Sequence, residues 1–383
     1  MHIIKEAAKA LVANLGFQTN RRIVVFESDD WGAVRVPDAD ALAAFENRFP
    51  SFRLDHYQSF DGLEKKADVS ALSSLLRENA GRFRASAPVF TLNFATANPD
   101  FNRCVPGNAD VAHFGFEPID KTYRTYDGDE GVLDFVRLGC GETALHPQLH
   151  GREHLNATAW LADAATDPVV EYARGLRMVG LDDAFYNGID ALNIGNTLID
   201  VSGYLEDAVA IFKRLFGFTP RSFIPPCYVA NRECERIAAG LGIETIQSSP
   251  KRNVPKGNDS YLKKINVFGH SDVPGQCRLI RNVQFEPSRS MFQGKSVDEC
   301  VDAAFAEIET AFRRRQPAVV CTHRVNYTTR VNERHREFSL EALDGLLRRL
   351  AERYPDCEFM TSDELGSLIL DLRREAKWSN DAL

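Results

Sequence analysis

Strand-like and helix-like segments alternate along the whole of this 383-residue chain, and that alternation constrains the fold more than any other feature. Short apolar runs rich in β-branched residues predict strands over 22–27, 88–94, 141–149, 220–225, 243–247, 278–284, 317–323 and 356–360. Apolar residues at helical spacing predict helices over 68–79, 129–138, 155–165, 204–216, 230–240, 296–315, 336–353 and 361–375. Ser296-Val297-Asp298-Glu299 forms a capping box at the start of one of them. A strand followed by a crossing helix rejoins its sheet in the same direction, so the pattern predicts a parallel sheet covered by helices. Seven or eight such units favour closure, and the predicted class is an α/β barrel.

With 44% apolar residues the chain can bury one large core, and 21–375 reads as a single barrel-sized domain. The stretches 95–127 and 165–200 are too long for ordinary connections and are expected to be surface excursions that shape or cover a cleft. Over 1–20, Ile3, Ile4, Ala7, Leu11 and Leu15 recur at near-helical spacing, interrupted by Lys5 and Lys9. That predicts an amphipathic helix packed on the core, without the apolar run and cleavage site of a signal peptide. A net charge of −8 with scattered basic residues argues against a nucleic-acid partner, and no apolar run is long enough to span a bilayer. Eight cysteines without a C-x-x-C pair read as reduced thiols, so the expected location is the cytoplasm. Cys227 reads as a small buried hydrophobe or as a residue lining a site.

The first predicted strand ends in Glu27-Ser28-Asp29-Asp30-Trp31-Gly32. Adjacent carboxylates repel, and two arrangements relieve them. Either they cap backbone N–H groups in a turn, or a divalent cation takes one while the other stays ionised beside it as a base. The histidines favour the cation. Leu145-His146-Pro147-Gln148-Leu149-His150-Gly151-Arg152-Glu153-His154 holds three of the nine histidines in two overlapping i, i+4 pairs, where random placement gives roughly 0.2 such pairs. That spacing puts two imidazoles on one face of a helical turn, and imidazole with carboxylate suits zinc and its neighbours. His150 is expected at a strand end, as Asp30 is, with His154 one turn into the next segment. His146, mid-strand beside Pro147, is expected in the core or behind the ligands.

These residues resemble the polysaccharide deacetylases, carbohydrate esterase family four of the NodB-homology type, and in particular a bacterial polysaccharide (de)acetylase-like branch. The resemblance implies that Asp29 is the catalytic base and that Asp30, His150 and His154 hold the metal. Pro317-Ala318-Val319-Val320-Cys321-Thr322-His323 matches the strand that carries the general acid, His323. Phe223-Ile224-Pro225-Pro226-Cys227-Tyr228 stands where an Arg-Pro-Pro motif falls. Ile224 replaces the arginine that pairs with the base, and Arg221, Arg152 and Arg324 are candidates for its task. Gly151 replaces a Ser or Thr, a change that metal binding tolerates. Arg281-Asn282-x-x-Phe285-Glu286-Pro287 occupies the place of a tryptophan motif. The implied fold is a distorted (β/α)7-8 barrel of the polysaccharide deacetylase and glycoside hydrolase type. The implied cofactor is a divalent metal, Zn2+ first, with Co2+, Mn2+ and Ni2+ as alternatives.

The expected activity is metal-dependent hydrolysis of an acyl group, N-acetyl first, from a sugar or glycoconjugate, with Asp29 drawing the proton from the attacking water and His323 protonating the leaving amine. Glu286 orients His323, or is a rim acid before a proline. Trp31 and Tyr228 stack on a sugar ring or pack. Asn231, Arg152 and Arg324 bind substrate oxygens, or serve as helix cap and ion pairs, and Pro226 borders the site. Two other classes compete: a non-hydrolytic sugar-binding relative, and a hydrolase of another C–N bond such as a deformylase. A glycosidase would present two carboxylates facing each other across the scissile bond, which this pattern does not.

Overall fold

The computed structural model describes residues 15–106, 114–126, 131–138, 144–179, 181, 201–257 and 260–381. The sheet comprises β1 (Ile23–Trp31), β2 (Phe90–Phe94), β3 (Leu145–Leu149), β4 (Ser222–Phe223), β5 (Thr245–Ser248), β6 (Cys277–Ile280), β7 (Val283–Gln284), β8 (Ala318–His323) and β9 (Glu358–Phe359). Strands β1 to β5 pair in parallel in sequence order, and β8 returns to pair with β1. One continuous stretch closes the ring, because β6 lies beside β5 and β7 beside β8. The change of neighbour falls at Arg281 and Asn282, whose N–H groups donate to the carbonyls of Ser248 and Val319. The predicted α/β barrel is therefore what forms, with one strand divided between two neighbours. Short β9 pairs only with Ile23 and Val24 at the foot of β1.

Alternation along β1 sorts its side chains. Val24 and Phe26 join the large outer core with Leu72, Leu76, Phe90 and Leu346, under the helices Lys66–Ala80 and Arg334–Arg353. Ile23 and Val25 join an inner cluster with Leu279, Val319 and Phe268, and with Leu365 and Ile369 of the helix Ser362–Asp381. That last helix touches β1, β4, β5 and β6 and so plugs the foot of the barrel. Burying each such aliphatic side chain contributes about 1.5–3 kcal/mol, which offsets the ordering of a long terminal helix. Above the plug the interior turns polar. Glu27 follows Val25 on the same face, fully buried, and Ser362 Oγ donates to its Oε1 at 2.9 Å.

β1 runs four residues beyond its predicted end and is irregular there. Its register against β2 shifts between Ser28 and Trp31, and Asp30 has φ 70°. In a regular strand Asp29 and Asp30 would face opposite sides. The bulge and the left-handed residue turn Asp30 back toward the side that Asp29 faces, and deliver Trp31 to the outer core.

Several elements were not anticipated: helices Ala39–Arg48, His56–Phe60 and Pro287–Phe292, and the antiparallel hairpin Lys251–Gly257 with Ser260–Ile265. The first excursion holds a hairpin, Ala97–Pro99 with Phe116–Pro118, and the helix Ile119–Tyr126. Most of the second, and residues 1–14 of the expected N-terminal helix, lie outside the described residues. Phe17 packs on the inner cluster. No helix among the described residues is long and apolar enough to cross a membrane.

Candidate active site

A cleft of about 310 Å³ opens at the C-terminal ends of the strands, where barrels carry their sites. Asp29, Asp30, His150, His154, Tyr228, Glu286 and His323 all line it. Asp30 Oδ1 lies 3.3 Å from His150 Nε2 and 3.5 Å from His154 Nε2. The two imidazoles are brought together by a loop, not by the helical turn that their spacing suggests, with ring centroids 4.8 Å apart. Gly151 makes the loop feasible. Its φ is +90°, and a Cβ there would collide with the Tyr204 hydroxyl, which donates to the Glu153 carbonyl.

His150 Nδ1 donates to the Ile224 carbonyl at 2.9 Å, which fixes the tautomer and leaves a lone pair on Nε2 facing the Asp30 oxygen. Lone pair against lone pair at 3.3 Å would be relieved by a cation held by both residues. Ligand atoms of a tetrahedral zinc site stand about 3.4 Å apart, given bonds of about 2.0–2.1 Å. The ligand atoms of Asp30, His150 and His154 lie within 4.8 Å of one another, and buried His154 Nδ1 has no hydrogen-bond partner. These residues fit a divalent metal. Burial brings the His154 imidazole down to about 3, so it is neutral, the form that ligates. Burial alone would raise Asp30, but the positive groups around it, the His323 imidazolium and Arg35, hold it below the usual carboxylate range. Arg35 Nη2 stands 3.4 Å from Asp30 Oδ2 and its Nε donates to Asp61.

Asp29 is held differently. Arg281, fully buried, donates to both its oxygens at 2.5 and 2.6 Å, and to Glu27 Oε2 at 2.7 Å. Asn93 Nδ2 donates to Asp29 Oδ1 at 2.8 Å and is itself held by Gln247. Burial would raise the Asp29 carboxyl, but the guanidinium keeps it below its ordinary value and ionised. Opposite, His323 Nδ1 meets Glu286 Oε1 at 2.5 Å, while Nε2 faces Asp29 Oδ2 at 3.7 Å. Asn326 donates to the other Glu286 oxygen at 2.8 Å. Burial would lower the His323 imidazole, but Glu286 raises it well above 6.5, so it carries a proton at neutral pH.

Arg281 therefore does what was sought among three other arginines. Arg221 pairs with Glu244 at the surface, Arg152 with Glu153 and Asp207, and Arg324 with Asp61, Glu64 and the Ala33 carbonyl. Arg152 and Arg324, satisfied in this way, do not line the cleft, and neither does Asn231, whose side chain accepts from Cys234 N–H as a helix cap. Trp31 is 0% exposed, with its indole N–H on Ser28 Oγ, and offers no face to a ligand. Pro225 borders the cleft in place of Pro226. Cys227 and Tyr228, at φ 49° and 58°, form a strained pair on the cleft wall, and Tyr228 Oη accepts from Arg281 at 3.4 Å. His146 sits on the flank beside Asp363, 3.3 Å away. Reasoning from sequence missed Arg281, Arg35, His56, Tyr57 and Arg289. The one available signal was the run Arg281 to Pro287, already picked out by its position.

No protein-family model matches the chain, and no curated protein does. Among solved structures, a 4-alpha-glucanotransferase from Thermococcus litoralis aligns over 90% of this chain and 40% of its own, at 9% identity and a TM-score of 0.45. A family 4 carbohydrate esterase from Streptomyces lividans aligns over 92% and 96%, at 11% identity and a TM-score of 0.37. A CE4-family pseudoenzyme from Bacillus anthracis aligns over 89% and 64%, at 12% identity and a TM-score of 0.37. The chain thus spans less than two thirds of the first and third of these proteins.

Proposed function

We propose that the protein is a metal-dependent deacylase of the family four carbohydrate esterase type, removing an N-acyl group, acetyl first, from a sugar or glycoconjugate. The observation that supports it most is the meeting in one cleft of three metal-competent donors, a carboxylate paired with Arg281 and an imidazole paired with Glu286. A divalent cation on Asp30, His150 and His154 would acidify a water and polarise the acyl carbonyl. Asp29, ionised and fixed by Arg281 and Asn93, accepts the proton of the attacking water. His323, protonated and oriented by Glu286, delivers a proton to the nitrogen as the C–N bond breaks. Asp29 Oδ2 and His323 Nε2 stand 3.7 Å apart, close enough for base and acid to serve one tetrahedral centre placed against both.

The test is release of acid from acylated sugars by the purified chain, with and without added zinc or cobalt, together with elemental analysis. Metal-dependent release that the His150→Ala/His154→Ala variant abolishes is the expected result. Full activity of metal-free protein would refute it.

A further inference from the structure

Each carboxylate of the cleft has a cationic partner: Asp29 has Arg281, Asp30 has Arg35, and Glu286 has His323, with Asn326 donating to Glu286 as well. Of the arginines lining the cleft, Arg35 is taken up by Asp30 and Asp61. Arg289 is the other. It is exposed, lines the cleft from the helix Pro287–Phe292, and has no ion pair among the described residues. His56, 7% exposed, also lines the cleft, near enough for the Arg289 charge to act on its imidazole, and its buried Nε2 has no hydrogen-bond partner. Its ring is fixed between Tyr57, at 4.1 Å between centroids, and Phe292, at 6.4 Å. Burial lowers its pKa, so it is a neutral imidazole that can present one N–H. A buried polar atom without a partner costs stability unless a ligand completes it.

We propose that Arg289 and His56 form an anion subsite, so that the acylated substrate carries a phosphate or carboxylate group close to the acyl-bearing sugar. This rests on the deacylase reading. Arg289 supplies a planar guanidinium suited to two oxygens of a phosphate or carboxylate, and His56 supplies a neutral donor, a combination that favours an anion over a hydroxyl.

The experiment compares N-acetylglucosamine, its 1-phosphate and a matched N-acetylated amino-uronic acid on the metal-loaded full chain, wild type against Arg289→Ala and His56→Ala. The wild type should turn over an anionic substrate with the lower KM, and the phosphate and uronate arms identify which anion is preferred. Arg289→Ala should raise KM for that substrate on the order of tenfold, as loss of one charge-assisted hydrogen bond at a partly open site implies, and leave the neutral sugar unchanged. Arg289→Lys should restore part of the preference. Calorimetric titration of the same sugars reads binding without turnover. Turnover with no anion preference, or equal effects of Arg289→Ala on charged and neutral sugars, would overturn the subsite and leave the deacylase reading intact. Arg289-dependent anion binding with no acyl release would do the reverse.

Discussion

Asp29 and Asp30 are sequence neighbours with separate partners, so their variants should behave differently. Asp29→Asn keeps the proposed metal donors and removes the proposed base. Its rate should fall on the order of 100- to 10,000-fold with metal content unchanged by elemental analysis. Asp30→Asn removes a donor, and metal content should fall with the rate. The exchange of these outcomes would exchange the two roles. His323 gives a prediction in pH. Glu286 holds it well above 6.5 against the effect of burial, so the alkaline limb of the rate profile should lie above neutrality. Glu286→Gln removes the charge that stabilises the imidazolium, and the limb should move to lower pH. The pair also contributes to folding. A pKa raised in the folded state stabilises below the unfolded value, and that contribution is lost as pH rises through the folded value. Melting temperatures of Glu286→Gln should lose that part of the pH dependence. Unchanged profiles would mean that Glu286 does not set the acid.

At the scale of the element, local signals were legible and non-local ones were not. β-branched runs such as Ile23–Phe26 and Ala318–Val320 marked strands, and because strand ends in a barrel converge, Asp29, Asp30, His150 and His323 could be gathered without knowing their distances. Arg281 meets Asp29 from 252 residues away, through a change of neighbour between β6 and β7 that leaves no mark in composition. Of the two readings open for Trp31, packing is the one the bulge at Asp30 selects, because it reverses the alternation beyond it. Asn231 separates the two readings once held open for it. As the cap of Arg232–Gly240, its replacement by Ala should cost about 1 kcal/mol in denaturant melts while KM stays constant. A change in KM at constant stability would return it to the substrate. Gly151→Ala should cost about 1–3 kcal/mol and loosen metal binding, since the loop must move away from Tyr204 to fit a Cβ at φ +90°. Metal titration beside thermal melting reads both effects.

Over the whole molecule, the barrel interior grades from an apolar plug at Ile23 and Val25, through Glu27 and Arg281, to the open cleft. Two buried carboxylates share one guanidinium. Arg281→Gln should therefore destabilise the fold by about 3–5 kcal/mol at neutral pH. The unpaired acids would acquire raised pKa values, so the variant should recover stability as pH falls through them, and melting curves from neutral to mildly acidic pH would show it. A loss of stability independent of pH would indicate a packing defect instead.

The floor of that charged centre is Ser362, which donates to Glu27 from the first residue of the C-terminal helix. Every residue proposed to bind or react is translated before it. A nascent chain thus carries the complete set of reactive side chains on the ribosome well before the barrel that orders them can be sealed from below. A product truncated ahead of Ser362 would keep every one of these reactive side chains while losing the hydrogen bond to Glu27 and the Leu365 and Ile369 packing beneath it.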